Sequence, residues 1–253
     1  MSRQPTISPA VAQLLRDYAE RYETADFLVG DPSWWMHQVD GDANREATAF
    51  VAANLSYGSR QQFMRKIQAI VDWADGDVDA WVRRGDFTRH LPAGDGHCFY
   101  RLYTCGAMHD FLSAYRLLLT QWGTLGDYVR QHAADAPEAL DAICRHFAQH
   151  GSGGVVPKDT QSACKRLCMF LRWMVRDGSP VDLGLWASWM PRESLVMPLD
   201  THVVSQATRL QLLACRTASM SAARRLTEAL ATVFPGDPLR GDFALFGYGV
   251  NNK

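Results

Sequence analysis

Apolar side chains recur along this chain at the spacing of an α-helix, and nowhere do they keep up the two-residue alternation of a strand. The clearest stripe is Phe63, Ile67, Ile70, Val71 and Ala74, one face of a helix opening after the turn Tyr57-Gly58-Ser59, with Ser59 placed to cap it. Residues 9–23, 45–55, 108–121, 136–150, 162–176, 201–213, 220–234 and 240–249 read as helices in the same way. An all-α fold is therefore expected. At 253 residues, 47% of them hydrophobic, the chain can bury a sizeable core as one large domain or two closely packed lobes. Gly151-Ser152-Gly153-Gly154 marks the main break. It separates a helical lobe at about 45–150 from a second at about 151–225, with 1–44 and 226–253 packing alongside.

Charge narrows the partners only slightly. The formal net charge is −1, which gives the whole molecule no general attraction for polyanions, but residues 151–253 carry 12 Lys+Arg against 8 Asp+Glu. The N-terminus lacks a basic start followed by an apolar run, and no apolar stretch is long enough to span a bilayer, so a cytoplasmic protein without membrane contact is expected. Cys98, Cys105, Cys144, Cys164, Cys168 and Cys215 are expected as buried thiols in such a compartment. Cys98 and Cys105 are spaced like the first two ligands of an iron–sulfur loop, but no close-set further ligands follow, and no metal or cofactor is expected.

The lysines are informative because they are so few. Only Lys66, Lys158, Lys165 and Lys253 occur, beside 22 arginines, and arginine stays protonated and cannot serve as an amine nucleophile. On the helix at 162–176, Ala163, Leu167, Phe170, Leu171 and Met174 form a buried stripe. Lys165, Met169, Arg172 and Arg176 fall opposite. The plainer reading of that second face is a solvated basic surface; the sharper one is a surface turned to a nucleic-acid backbone. Downstream, Asp200 stands immediately before a helix with Val203, Ala207, Leu210 and Ala214 on one side. Aspartate is a favoured N-cap and needs no further role there. The helix N-terminus also keeps such a carboxylate ionised, the state that a reaction through a cationic sugar requires nearby.

These segments carry a resemblance. Pro198-Leu199-Asp200-Thr201-His202-Val203 resembles the Val-Asp-Thr-His-Val element of helix-hairpin-helix DNA glycosylases, in which the aspartate is catalytic. Together with the run Cys164 to Arg176, it resembles an uncharacterised bacterial family assigned to that superfamily, most similar to archaeal 8-oxoguanine DNA glycosylases. The interval from Lys165 to Asp200, 35 residues, is similar to the longer spacing of the archaeal enzymes. Asp242-Phe243-Ala244-Leu245-Phe246 looks like their Asp-x-x-Leu-Trp element, whose aspartate and aromatic hold the extruded base, with Phe246 in place of tryptophan. Asn54-Leu55-Ser56 is similar to a base-reading Gln-Leu-Ser, and Arg101 through Trp122-Gly123-Thr124-Leu125 to a further helical segment. The usual Leu-Pro-Gly-Val-Gly hairpin is absent before Lys165; Gly154-Val155-Val156-Pro157-Lys158 imitates it, which makes Lys158 an alternative nucleophile.

The resemblance implies a two-lobed fold with a central cleft and a monomeric DNA glycosylase with β-lyase activity. Duplex DNA containing a damaged base, most closely an oxidised purine such as 8-oxoguanine, would be its partner, and the nucleoid its location. Lys165 and Asp200 would be catalytic, and Asn54, Asp242 and Phe246 would bind the base. Gly153, Gly154, Arg172 and Arg176 would hold the DNA backbone. A non-catalytic DNA-binding protein on the same scaffold, or a glycosylase for another lesion or nucleic acid, are the alternatives.

Overall fold

The computed structural model describes residues 7–152, 154–214 and 217–252. Its elements are α1 (Pro9–Tyr22), α2 (Asp42–Leu55), α3 (Arg60–Trp73), α4 (Val78–Arg84), β1 (Cys98–Tyr100), β2 (Tyr103–Thr104), α5 (Cys105–Trp122) and α6 (Leu125–His132). These are followed by α7 (Ala136–Gln149), α8 (Lys165–Val175), α9 (Thr201–Arg209), α10 (Met220–Ala231) and α11 (Arg240–Asn251). Short 3-10 turns lie between several of them. The all-α expectation holds among the described residues, apart from one antiparallel hairpin that pairs Cys98 with Thr104 and Tyr100 with Tyr103. Strands of three and two residues are too short for alternation to show in sequence. The helices α4 and α6, of 7 and 8 residues, are likewise too brief to show a clear period in sequence. Among the described residues no helix is long and apolar enough to cross a membrane.

Two compact units make up the chain. One comprises Gly30–Ala134 and Glu138–Asp159; the other comprises Met1–Val29, Asp135–Pro137 and Thr160–Lys253. Residues 30–44 and 151–159 thus group with the helices of the first unit, and the N-terminal helix groups with the C-terminal half. The first unit is built around α2, which is buried on every side from Glu46 to Leu55, as a helix apolar all round must be. Phe50 on α2 meets Tyr115 at 5.0 Å and Phe147 at 5.3 Å between ring centroids. Two buried polar side chains of α2 are spent on caps. The Glu46 carboxylate accepts from the Leu125 and Gly126 N–H groups at the start of α6 (2.8 and 3.1 Å). Asn44 accepts from Val78 N–H and donates to the Gly76 carbonyl, fixing the entry to α4.

The second unit carries its charge inside. Leu28, Val181 and Phe243 cluster with Tyr22 and Phe27 packed against them. Beside them Arg172 and Arg176, one turn apart on α8, are only 3% and 1% exposed. Arg172 pairs with Asp182 at 3.1 Å and with Asp242. Arg176 pairs with Asp182, with Asp237 at 2.8 Å and with Glu23 at 2.5 Å. Burial pushes the Asp182 carboxyl up, while the two guanidinium groups pull it back. The expectation that Arg172 and Arg176 lie on an open basic face is therefore corrected: every direction around this part of α8 is filled, and both arginines face carboxylates.

Removing one member of such a network strands the others in a low-dielectric interior. Arg176→Met should cost about 3–5 kcal/mol of unfolding free energy in urea denaturation, the usual scale for breaking a buried pair. A loss close to that of an exposed pair, about 0–1 kcal/mol, would contradict the network's role.

A candidate lysine–aspartate centre

Lys165 is the first residue of α8, and Cys164 before it turns the chain through the left-handed region (φ +45°) so that the helix starts abruptly. Asp200 is the N-cap of α9. Its carboxylate divides its two oxygens. Oδ1 accepts from the Val203 N–H at 2.9 Å, and Oδ2 meets Lys165 Nζ at 2.9 Å. The side chains are 36% and 27% exposed, so the pair is partly shielded yet open to a ligand. Burial alone would raise the Asp200 carboxyl. The Lys165 charge and the Val203 N–H outweigh it and hold Asp200 below the ordinary carboxylate range.

Asp242 and Phe246 are one turn apart on α11, hence on one face of it. Burial raises the Asp242 carboxyl; the charges of Arg172 and then Lys165 pull it down, and Asp200 pushes it up. Asp242 therefore lies within electrostatic reach of the lysine–aspartate pair. Phe246 is 37% exposed and is braced edge-on by Tyr22 (5.8 Å) and Phe27 (4.9 Å), which leaves ring surface open to a planar ligand. Lys165, Asp200, Asp242 and Phe246 all belong to the second unit.

The other expected residues fare differently. Asn54 is fully buried in α2, and its amide donates to the Phe50 carbonyl at 2.9 Å, so it is not presented to a ligand and that expectation is corrected. Gly154 is exposed in a turn at φ +76°, while Gly153 lies outside the described residues. Lys158 is exposed, and no carboxylate pairs with it among the described residues. Lys66 sits over the Phe99 ring at 4.8 Å. Cys144, Cys164 and Cys168 are buried as expected, but Cys98 is exposed and Cys105 half-buried; Cys215 lies outside the described residues. That Arg172 braces Asp242, and Tyr22 and Phe27 brace Phe246, could not be read from sequence, since each meets its partner across a long stretch of chain. A cavity of about 660 Å³ lined by Arg16, Glu20, Arg192, Phe234, Asp237 and Arg240, among others, takes in none of the four candidate residues.

Because the folded Asp200 carboxyl titrates lower than an unfolded one, its contribution to stability is present above the ordinary value of about 3.9 and fades as pH falls through the lower folded value. Asn caps a helix as well as Asp does, so Asp200→Asn removes the charge and keeps the cap. Wild type should be the more stable at neutral pH, with the difference shrinking below about pH 4 in denaturant titrations. A difference independent of pH would rule out the charge as its source.

No curated protein and no solved structure matches the chain. A family model described as "Protein of unknown function (DUF2400)" matches residues 31–251, which span α2 to α11 and hold the lysine, both aspartates and the phenylalanine, and the chain belongs to that family.

Proposed function

We propose that this protein is a DNA glycosylase with β-lyase activity, acting on an oxidised purine such as 8-oxoguanine in duplex DNA on a helix-hairpin-helix glycosylase scaffold. The observation that carries the reading is the 2.9 Å contact between Lys165, at the start of one helix, and Asp200, at the cap of another, 35 residues apart. Chemistry on a stacked base requires its extrusion from the duplex. Phe246 would stack on the extruded base and Asp242 would meet its polar edge.

An amine attacks only in its neutral form; Asp200 Oδ2, 2.9 Å from Nζ, would take its proton and pass it on to solvent, returning to the carboxylate before the attack. Nζ then bonds to the sugar's anomeric carbon as the glycosidic bond breaks, and the bond's electrons leave with the base, which takes up a proton. The Asp200 carboxylate stabilises the positive charge that develops on the sugar. Ring opening gives an imine, and elimination of the 3′ phosphate from that imine cuts the strand. A protein of this kind would work at the nucleoid, as a monomer.

The same contact is also what an ordinary ion pair looks like, and that favours the second reading, a DNA-binding protein without chemistry. Borohydride trapping separates the two. Wild type should form a covalent complex with an 8-oxoguanine duplex. Lys165→Gln should abolish the complex while leaving DNA affinity largely intact, and Asp200→Asn should slow base release by about 10²–10³-fold, the scale of losing one electrostatic partner of the transition state. Trapping that survives Lys165→Gln and vanishes in Lys158→Gln would move the chemistry to Lys158. DNA binding with no trapping on any lesion would select the second reading.

A further inference from the structure

One cavity of the second unit is walled mainly by charge. It holds about 660 Å³ between α1, the segment at Arg192 and the turn that leads from α10 into α11, and Arg16, Arg192 and Arg240 all line it. That size falls within the range of about 300–1,000 Å³ usual for small-molecule sites, whose walls are mostly apolar. Here the apolar part of the wall is Val233–Pro235. A ligand suited to such walls brings charge of its own.

The three guanidinium groups keep donors unengaged. Arg16, on α1, pairs with no carboxylate among the described residues, although Glu20 one turn further on lines the same cavity. Arg192 gives Nε to the Gly236 carbonyl at 3.1 Å and Nη1 to Asp177 at 3.2 Å. Arg240 gives Nε to Glu23 at 2.9 Å. Neither Nη2 of Arg192 nor the terminal nitrogens of Arg240 donate to a group among the described residues. Of the two carboxylates on the wall, Asp237 is already neutralised: its Oδ1 and Oδ2 take Arg176 Nε and Nη2 at 2.8 and 2.9 Å. Glu20 is left to face three cations.

A multiply charged oxyanion fits that imbalance. A phosphate monoester carries close to two negative charges and three terminal acceptor oxygens, where a carboxylate has one charge and two oxygens. Guanidinium forks meet such oxygens with paired N–H donors. A duplex backbone suits the cavity less. Its phosphodiesters carry single charges spread along a long rod, which exposed Glu20 and Asp177 would repel.

We propose that this cavity binds a small phosphorylated molecule. Its phosphate lies among Arg16, Arg192 and Arg240, its body against the Val233–Pro235 wall, and a hydrogen-bond donor of that body on Glu20. Asp237 holds Arg176, and Arg240 shares Glu23 with Arg176, so an occupied site braces the anchor of α8 and stabilises the folded chain. The inference does not depend on the glycosylase chemistry.

The test is calorimetric titration of the full-length protein, without DNA or magnesium, using inorganic phosphate, pyrophosphate and malonate as probes. Pyrophosphate should bind saturably and raise the melting temperature, and malonate should bind far more weakly than phosphate. Arg16→Gln should weaken pyrophosphate binding by about tenfold or more, the scale of losing a hydrogen bond to a charged group. Its melting temperature without ligand should stay at the wild-type value, because Arg16 has no ion-pair partner to lose. Arg192→Gln should weaken binding too, and Glu20→Gln should tighten it by removing the one repelling charge. Absence of saturable binding at millimolar pyrophosphate overturns the site. So does an affinity unchanged in both arginine variants, or malonate binding as tightly as phosphate. Displacement of pyrophosphate by an undamaged duplex would give the cavity to the DNA backbone and overturn the small ligand. Lys165→Gln should bind pyrophosphate as wild type does, so failure of borohydride trapping would sink the glycosylase chemistry and leave this site standing.

Discussion

Two arginines buried along α8 hold the second unit in register. Arg172 ties α8 to Asp182 in the segment that follows it and to Asp242 at the start of α11. Arg176 adds Asp182, Asp237 just before α11, and Glu23 just after α1. Glu23 reaches on to Arg240 at 2.9 Å. Charges this deep are tolerated only when paired and hydrogen-bonded, so the segments that supply the partners must sit where the guanidinium groups need them. The C-terminal half of α8 is therefore an anchor. Its first residue, Lys165, is left at the edge beside Asp200, and α11 is locked with Asp242 and Phe246 on one face.

That division of labour along one helix explains what could be read in advance. Asp200 was legible because an aspartate directly before an amphipathic run is a local signal for a cap, and the cap is there. Lys165 was legible because so few lysines compete with it. Arg172 and Arg176 read as a solvated or DNA-facing stripe because a basic helix face looks the same whether water, phosphate or carboxylate lies opposite. The partners that decide it are 70 residues away for Asp242, 61 for Asp237 and 153 for Glu23. Asp182, only 10 residues on, follows the helix as an unremarkable loop aspartate. Asn54 failed for a different reason. The run Ala47–Leu55 around it is almost wholly apolar, which marks a helix buried on every side, and a side chain in such a helix bonds its own preceding turn more readily than a ligand.

The helices themselves were largely readable because burial of one face imposes a period that survives in sequence, while the short elements α4, α6 and the β1–β2 hairpin are too brief to carry one. The partition of the chain was less legible. The Gly-rich stretch at 151–154 falls inside a compact unit that runs on to Asp159, and α1 joins the C-terminal half through contacts that no local pattern announces. What emerges for this DUF2400 chain is a helical protein whose second unit brings a lysine, two aspartates of opposite electrostatic bias and an open aromatic ring together. Asp200 is held low and Asp242 is pushed high. In the proposed reaction the cationic sugar would need an anion beside the amine, the role assigned to Asp200, and Asp242 would contact the polar edge of the base.

The claim at the centre of this reading is that Lys165 Nζ is the atom that bonds to the sugar. Mass spectrometry of the borohydride-reduced protein–DNA complex, after digestion of both components, locates that bond directly. The expected result is a sugar-derived mass increment on the peptide carrying Lys165. An increment on the peptide carrying Lys158 or Lys66, or on none, would contradict the assignment.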